Sequence, residues 1–140
     1  MAKTMREIDP IDLLDLTMRV LIAGDRNWED RPTIAKFVAR LPQGTTIIEG
    51  EARGADSIAR DCALDVGLSV ERYPANWNKY GRAAGYIRNQ QMLDEGRPDL
   101  VAFFHQNLSE SRGTKNMVRI AIKANIPVMN GSTYAIIKAV

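Results

Sequence analysis

Two glycine-containing turns each carry an arginine and stand directly before a predicted helix. The sequence reads E-G-E-A-R-G-A-D at 49–56 and S-R-G-T-K-N-M at 111–117. The free N–H groups and the dipole of a helix N-terminus attract anions, provided that small residues let the anion approach. A guanidinium beside that terminus can bind phosphate through two parallel hydrogen bonds. We therefore expect a phosphate-bearing ligand between the turn of Arg53 and Gly54 and the turn of Arg112, Gly113 and Thr114.

Further residues that core packing does not explain lie in neighbouring loops. The sequence reads G-D-R-N-W at 24–28, Y-P-A-N-W at 73–77 and G-R-A-A-G-Y-I-R-N at 81–89. Trp28, Trp77 and Tyr80 offer rings for a base or simply cover the sheet edge, and both interpretations stay open. Asp56 either caps a helix, which we favour, or holds a ribose hydroxyl. The expected ligand-binding residues are Gly24, Arg26, Trp28, Gly50, Arg53, Gly54, Asp56, Trp77, Arg82, Arg88, Asn89, Arg112, Gly113 and Thr114.

Few side chains are candidates for acid–base or metal chemistry. Glu49 and Glu51 are the candidate catalytic acids, without an assigned role. His105 is the one histidine, and we favour a polar contact over a role in proton transfer. One cysteine, Cys62, allows neither an internal disulfide nor a cysteine-based metal site, and its apolar helix face assigns it to the core. We expect no metal and no cofactor.

The elements that must position these residues follow from the apolar pattern. Strands are predicted at 19–23, 45–49, 69–73, 100–104 and 127–129. Helices are predicted at 32–41, 55–66 and 113–124, with another that ends near 95 after an irregular segment at 75–83; the last residues form either a helix or an edge strand. This alternation indicates an α/β fold, a single Rossmann-like three-layer domain with a mainly parallel sheet of about five strands.

The unusual loops all follow predicted strands. Because ligands of an open parallel sheet bind beyond the carboxyl ends of its strands, the loops should meet at one binding edge. Neither G-x-x-x-x-G-K-[ST] nor G-x-G-x-x-G occurs in the sequence. This absence excludes a P-loop nucleoside triphosphatase and an ordinary dinucleotide-binding fingerprint.

Length and charge restrict the class of protein further. The 140 residues, 45% of them hydrophobic, suit one domain with its own core. Residues 1–17 hold two basic and four acidic residues, a net charge of −2. Because the whole chain has a net charge of +2, residues 18–140 carry a net charge of +4. We expect residues 1–17 to be an N-terminal extension, with a short helix starting near Asp9 and Pro10, and residues 18–140 to be the domain. The small charge argues against a nucleic-acid partner.

No apolar run approaches the roughly 20 residues of a membrane-spanning helix, and the N-terminus lacks the pattern of a signal peptide. We therefore expect a cytoplasmic protein with no membrane partner. Assembly into a homo-oligomer stays open.

From residue 19 to about residue 128 the sequence resembles the YspA/YpsA-related branch of the SLOG superfamily. This Rossmann-like group also includes lysine-decarboxylase-like, cytokinin-activating proteins and a DNA-processing protein. The resemblance rests on the four loop motifs G-D-R-N-W, E-G-E-A-R-G-A-D, Y-P-A-N-W with G-R-A-A-G-Y-I-R-N, and S-R-G-T-K-N-M. It implies a nucleotide or nucleotide-derived ligand held between the second and fourth of these loops.

Two positions depart from the pattern that the resemblance implies. Glu51 stands where a glycine is usual, which places a carboxylate near the expected phosphate. Met117 stands where the cytokinin-activating phosphoribohydrolases have a catalytic glutamate, and a thioether does no acid–base work. We therefore favour a module that senses or sequesters the ligand. The alternatives are a nucleotide-processing enzyme such as an N-glycosidic hydrolase and, less favoured, a protein that binds single-stranded nucleic acid.

Overall fold

The computed structural model describes residues 17–140. Its strands are β1 (Arg19–Gly24), β2 (Thr46–Glu49), β3 (Ser69–Arg72), β4 (Leu100–Phe104), β5 (Val128–Asn130) and β6 (Ile136–Ile137). Its helices are α1 (Arg31–Ala39), α2 (Ala55–Asp65), α3 (Trp77–Tyr80), α4 (Ala84–Gly96) and α5 (Gly113–Lys123), with 3-10 turns at Gly81–Ala83 and Leu108–Glu110. The predicted short helix near Asp9 and Pro10 lies outside the described residues.

One six-stranded sheet, in the order β3-β2-β1-β4-β5-β6, forms the middle layer. The pairings from β3 through β5 are parallel, and β6 pairs antiparallel with β5. The chain reverses its direction of travel across the sheet between β1 and β4, which are hydrogen-bonded neighbours. This reversal is the topological switch point, beside which ligands bind in Rossmann-like folds.

Alternating side chains of β1 supply the core on both sides of the sheet. Val20 and Ile22 pack in one apolar cluster with residues of α1 and α2. Leu21 and Ala23 pack in the other, with residues of α4 and α5. The helices therefore cover both faces, and the predicted α/β, Rossmann-like, three-layer fold is confirmed.

Two local predictions change in the structure. The segment 75–83, expected to be irregular, holds α3 and a 3-10 turn because Asn76 Oδ1 accepts a hydrogen bond from Lys79 N at 3.1 Å and caps the helix. No residue of α3 is buried, so apolar periodicity gave no signal for it. The undecided C-terminal residues form the edge strand β6, so the sheet has six strands where about five were expected.

Within residues 17–140, no helix is long and apolar enough to cross a membrane. Likewise, no group of three or more His, Cys, Asp or Glu residues in this part of the chain is placed to hold a metal ion.

Candidate functional site

A cavity of about 710 Å³ opens at the carboxyl ends of β1 and β4, at the switch point of the sheet. Its volume lies within the range of about 300–1,000 Å³ that is usual for small-molecule sites. Ten of the fourteen expected ligand-binding residues line it: Gly24, Arg26, Asp56, Trp77, Arg82, Arg88, Asn89, Arg112, Gly113 and Thr114. The loops after several strands therefore do meet at one edge.

Gly24 permits the tight packing that forms the cavity wall. A Cβ at this position would lie 2.7 Å from the Ala55 Cβ, which is too close for two carbon atoms that are not bonded. The next residue, Asp25, donates its N–H to Phe104 O at 2.9 Å and so continues the pairing of β1 with β4. A side chain at residue 24 would push α2 away from the sheet.

The charged residues of the cavity are mostly arginines. Arg26, Arg82, Arg88 and Arg112 contribute four positive charges, against Asp25 and Asp56 with at most two negative ones. The balance is thus at least +2. Inside a concave site with low-dielectric walls, such a charge attracts and retains anions.

Arg88 is the most strongly held of these arginines. Its Nη1 donates to Gly50 O, and its Nε donates to Asn89 Oδ1 at 3.0 Å. Burial lowers the pKa of the guanidinium and the repulsion of Arg26 lowers it further, while the carboxylate of Asp56 opposes both. A guanidinium keeps its proton throughout the physiological range, so Arg88 is a partly desolvated cation that lines the cavity.

Asp56 organises the loop that follows β2. Its Oδ2 accepts hydrogen bonds from Gly50 N at 3.2 Å and from Ala52 N at 3.3 Å. Burial raises the pKa of this carboxyl to about 6, although Arg88 and the two N–H donors favour the charged form. We favour a capping role for Asp56, and its carboxylate does bind backbone N–H groups. These groups belong to the loop before α2; the N-cap residue of α2 itself is Gly54.

The candidate catalytic acids Glu49 and Glu51 do not line the cavity. Glu49 is fully buried; its Oε1 accepts a hydrogen bond from Glu51 N at 2.7 Å, and its Oε2 has no partner among the described residues. Burial, together with the neighbouring Glu51 and Asp56 carboxyls, raises its pKa to about 9. This raised pKa favours the neutral form of Glu49 at pH 7.

The Glu51 carboxylate is directed at Arg60, with Oε1 3.3 Å from Nη1. Its pKa is lowered, chiefly by interaction with the neighbouring Glu49 carboxyl and further by Arg60. Glu51 has φ +57°, a conformation that glycine adopts at little cost. The Glu51 carboxylate therefore contacts Arg60 and does not line the cavity.

The turn before α2 is not open to an anion in the way that we expected. Gly54 has φ +76°, and a Cβ there would lie 2.5 Å from the carbonyl carbon of Arg26. The first N–H of α2, on Ala55, donates to Asp25 O at 3.0 Å. Gly54 therefore allows two backbone segments to come into contact. Arg53 is exposed, and its Nη2 lies 3.4 Å from Asn27 Oδ1. Arg53, Gly50 and Gly54 all lie outside the cavity lining.

The turn before α5 is open. A Cβ built on Gly113 would meet nothing within 4 Å. Ser111 Oγ accepts hydrogen bonds from Thr114 N at 3.1 Å and Lys115 N at 3.4 Å, which caps the helix. Asn89 Nδ2 donates to Gly113 O at 3.2 Å and thereby fixes this turn against α4.

The aromatic residues separate into core and surface. Trp28 is only 8% exposed, packs edge-on against Phe104 and donates its Nε1–H to Asp30 O at 2.8 Å, so it is a core residue and not a platform for a base. Trp77 is 50% exposed and lines the cavity. Tyr80 lies outside the lining, whereas Tyr86, which was not predicted, belongs to it.

His105 lines the cavity at the end of β4, and its Nδ1 accepts a hydrogen bond from Asn107 N at 3.0 Å. Lining residues outside the predicted set are Ala23, Asp25, Ala52, Gly85, Tyr86, Met92, His105 and Ser111. Several of them immediately neighbour predicted residues, and proximity to a motif was their only available signal. Cys62 is buried, as predicted, and Met92 and Met117 are buried as well.

Fold and site together define a Rossmann-like α/β protein with an arginine-lined cavity at the switch point of its sheet. The chain belongs to the YspA, cpYpsA-related SLOG family, whose sequence model matches residues 18–80. It is 40% identical over 121 residues to the Gene 61 protein of Mycobacterium phage D29, covering 80% of this chain and 94% of that protein. The resemblance drawn from the loop motifs is thereby confirmed.

The fold is also similar to that of DNA processing protein A from Streptococcus pneumoniae. The TM-score is 0.67 at 17% sequence identity, and the match covers 86% of this chain. The chain spans about half of that solved structure, 52% of its length. This likeness supports the fold.

Proposed function

We propose that the protein binds a nucleotide or a nucleotide-derived small molecule in the cavity at the ends of β1 and β4. Membership of the SLOG family favours nucleotide-related binding or processing. The observation that carries the proposal is the convergence of Arg26, Arg82, Arg88 and Arg112 on one concave site at the switch point. The phosphate is expected near the Arg112-Gly113-Thr114 turn, where small residues leave room for it.

Binding without turnover is favoured because neither Glu49 nor Glu51 reaches the cavity. The carboxyl groups that do line it are Asp25 and Asp56, and Asp56 is occupied with two backbone N–H groups. Met117, at the position of the phosphoribohydrolase glutamate, is fully buried. No cofactor, metal or membrane partner is part of the proposal, and the proposed location is cytoplasmic.

Titration calorimetry with the four common ribonucleoside 5′-monophosphates tests the proposal. Arg88→Ala should weaken binding by about 10- to 150-fold, equivalent to about 1.5–3 kcal/mol for a hydrogen bond to a charged group. Arg53→Ala is the matched control, since it removes an arginine at the same sheet edge but outside the cavity lining. Absence of binding to all four nucleotides, or equal losses in both variants, would refute the assignment.

A further inference from the structure

A second concavity, the basic groove, adjoins the cavity on the side of α5. It has a volume of about 300 Å³ and is lined by Tyr86, Ser111, Arg112, Lys115, Asn116 and Arg119. Tyr86, Ser111 and Arg112 line both the groove and the cavity, so the two spaces are adjacent. A ligand in the cavity therefore lies beside the groove.

The groove is cationic and contains no acidic lining residue. Arg112, Lys115 and Arg119 follow the i, i+3, i+7 spacing that places side chains on one helix face. Seven residues of helix rise about 10 Å, so their charges are distributed along the groove and not concentrated at one point. The same helix buries Met117, Val118 and Ala121, which keeps α5 in a fixed rotation about its axis.

These three cations differ from four of the ten other arginines in residues 17–140, which form ion pairs with carboxylates. Arg19, Arg31 and Arg60 each form an ion pair with a carboxylate, at 2.6, 2.6 and 3.3 Å. None of the ion pairs found in this part of the chain involves Arg112, Lys115 or Arg119. Like charges gathered in a concave groove repel each other, and an external anion would relieve that repulsion.

We propose that the basic groove binds a second phosphate of the same ligand whose first phosphate lies in the cavity. The inference rests on the proposed function and narrows the ligand class to nucleotides with two separated phosphate groups. A nucleoside 3′,5′-bisphosphate and a 5′-phosphorylated dinucleotide share this chemistry. Tyr86, 45% exposed at the junction, offers a ring between the two anion sites.

The test compares four probes by titration calorimetry: adenosine 5′-monophosphate, adenosine 5′-diphosphate, adenosine 3′,5′-bisphosphate and the dinucleotide pApA. If another base binds best among the monophosphates, the corresponding derivatives replace these probes. We expect at least one probe with separated phosphates to bind ten times or more tightly than the monophosphate, a difference of about 1.4 kcal/mol. The diphosphate, which carries about the same charge as pApA but on adjacent phosphates, should gain less than pApA.

The double variant Lys115→Ala/Arg119→Ala should abolish this advantage and change monophosphate affinity less than threefold. Lys123→Ala is the control for overall charge, because Lys123 is exposed on the last turn of the same helix and outside the groove. Tighter binding of adenosine 3′,5′-bisphosphate would identify a nucleoside bisphosphate as the ligand type, and tighter binding of pApA would identify a 5′-phosphorylated dinucleotide.

Equal affinity for all four probes, or an advantage that survives the double variant, would overturn the groove proposal and leave nucleotide binding intact. Failure of every probe to bind would overturn the proposed function, and the groove proposal with it.

Discussion

The Arg88 guanidinium occupies the space beside Gly50 where any other residue would place its Cβ. A Cβ built on Gly50 would lie 2.5 Å from Arg88 Nη1 and 2.7 Å from Cζ. Nη1 donates to the carbonyl oxygen of the same glycine. Gly50 does not line the cavity itself, but it determines where the partly buried Arg88 guanidinium can lie.

Gly50→Ala should therefore weaken ligand binding through Arg88. The new methyl group displaces the far end of a flexible side chain, so we expect at least a fivefold loss of nucleotide affinity with a small change in melting temperature. The check is a double-mutant cycle measured by calorimetry. Gly50→Ala/Arg88→Ala should bind no more weakly than Arg88→Ala alone, and additive losses would show that Gly50 acts independently of Arg88.

Gly54→Ala should destabilise the fold itself. A non-glycine residue at φ +76° costs about 1–3 kcal/mol in backbone strain, and the Cβ would also collide with the backbone of Asp25 and Arg26. Gly67→Ala is the matched control, because Gly67 has φ +81° but open space around its Cβ position. Urea denaturation should show a clearly larger loss for Gly54→Ala, and equal losses would mean that the close backbone approach is easily relaxed.

Stability should fall as pH rises from 7 to 9 because of Glu49. Its pKa is about 9 in the folded protein against an ordinary 4.5. The folded state thus holds the proton more tightly than the unfolded chain, and the resulting stabilisation, present below pH 4.5, is lost progressively as pH rises through 9. The slope is at most about 1.4 kcal/mol per pH unit. Asp56, with a pKa of about 6, has largely completed its own titration below this window.

Glu49→Gln, which imitates the neutral carboxyl, should flatten the decline between pH 7 and 9 in urea denaturation. Glu71→Gln is the comparison: the pKa of Glu71 is lowered, chiefly by its hydrogen bond with Arg19, so this variant should keep the wild-type slope with a constant offset. An unchanged slope in Glu49→Gln would show that Glu49 is already ionised at pH 7.

The fold could be predicted from sequence because each buried strand is a short apolar run that ends at a glycine or at a polar residue. The Leu100–Phe104 run, for example, is strand β4 at the predicted bounds. Side-chain direction could not be predicted in the same way. Trp28 and Trp77 both follow strands in glycine- or proline-containing loops, yet one is buried against Phe104 and the other is half exposed.

The role of each glycine in the loops could not be predicted from the sequence either. Gly54 and Gly113 both precede helices in arginine-containing turns, which suggested one shared role in anion binding. The structure separates them, because the space beside Gly54 is filled by the β1 loop and the space beside Gly113 is open. That difference depends on packing between segments about 30 residues apart in the chain, which no local pattern records.

Nucleoside 5′-monophosphates should not be hydrolysed at the N-glycosidic bond. General acid–base assistance contributes about 10²–10⁴-fold to such reactions, and Glu49, Glu51 and Met117 are all absent from the cavity lining. Release of the base is measured by chromatography, in reactions with a high protein concentration. Its rate should equal that of a protein-free control. Turnover near 1 s⁻¹ or above, typical of enzymes, would contradict the prediction and implicate Asp25 or Asp56, the carboxyls that do line the cavity.

Ligand binding should quench the fluorescence of Trp77 and leave that of Trp28 nearly unchanged. The protein has two tryptophans, and they differ sharply in exposure, 50% for Trp77 and 8% for Trp28. Stacking of a base on an aromatic ring contributes about 1–3 kcal/mol, so Trp77→Ala should weaken nucleotide binding by about 5- to 150-fold. Trp77→Phe, which keeps a ring, should bind more tightly than Trp77→Ala and show almost no quenching. Trp28→Phe, with its folding verified by melting temperature, should retain the quenching, and the opposite pattern would place the base away from Trp77.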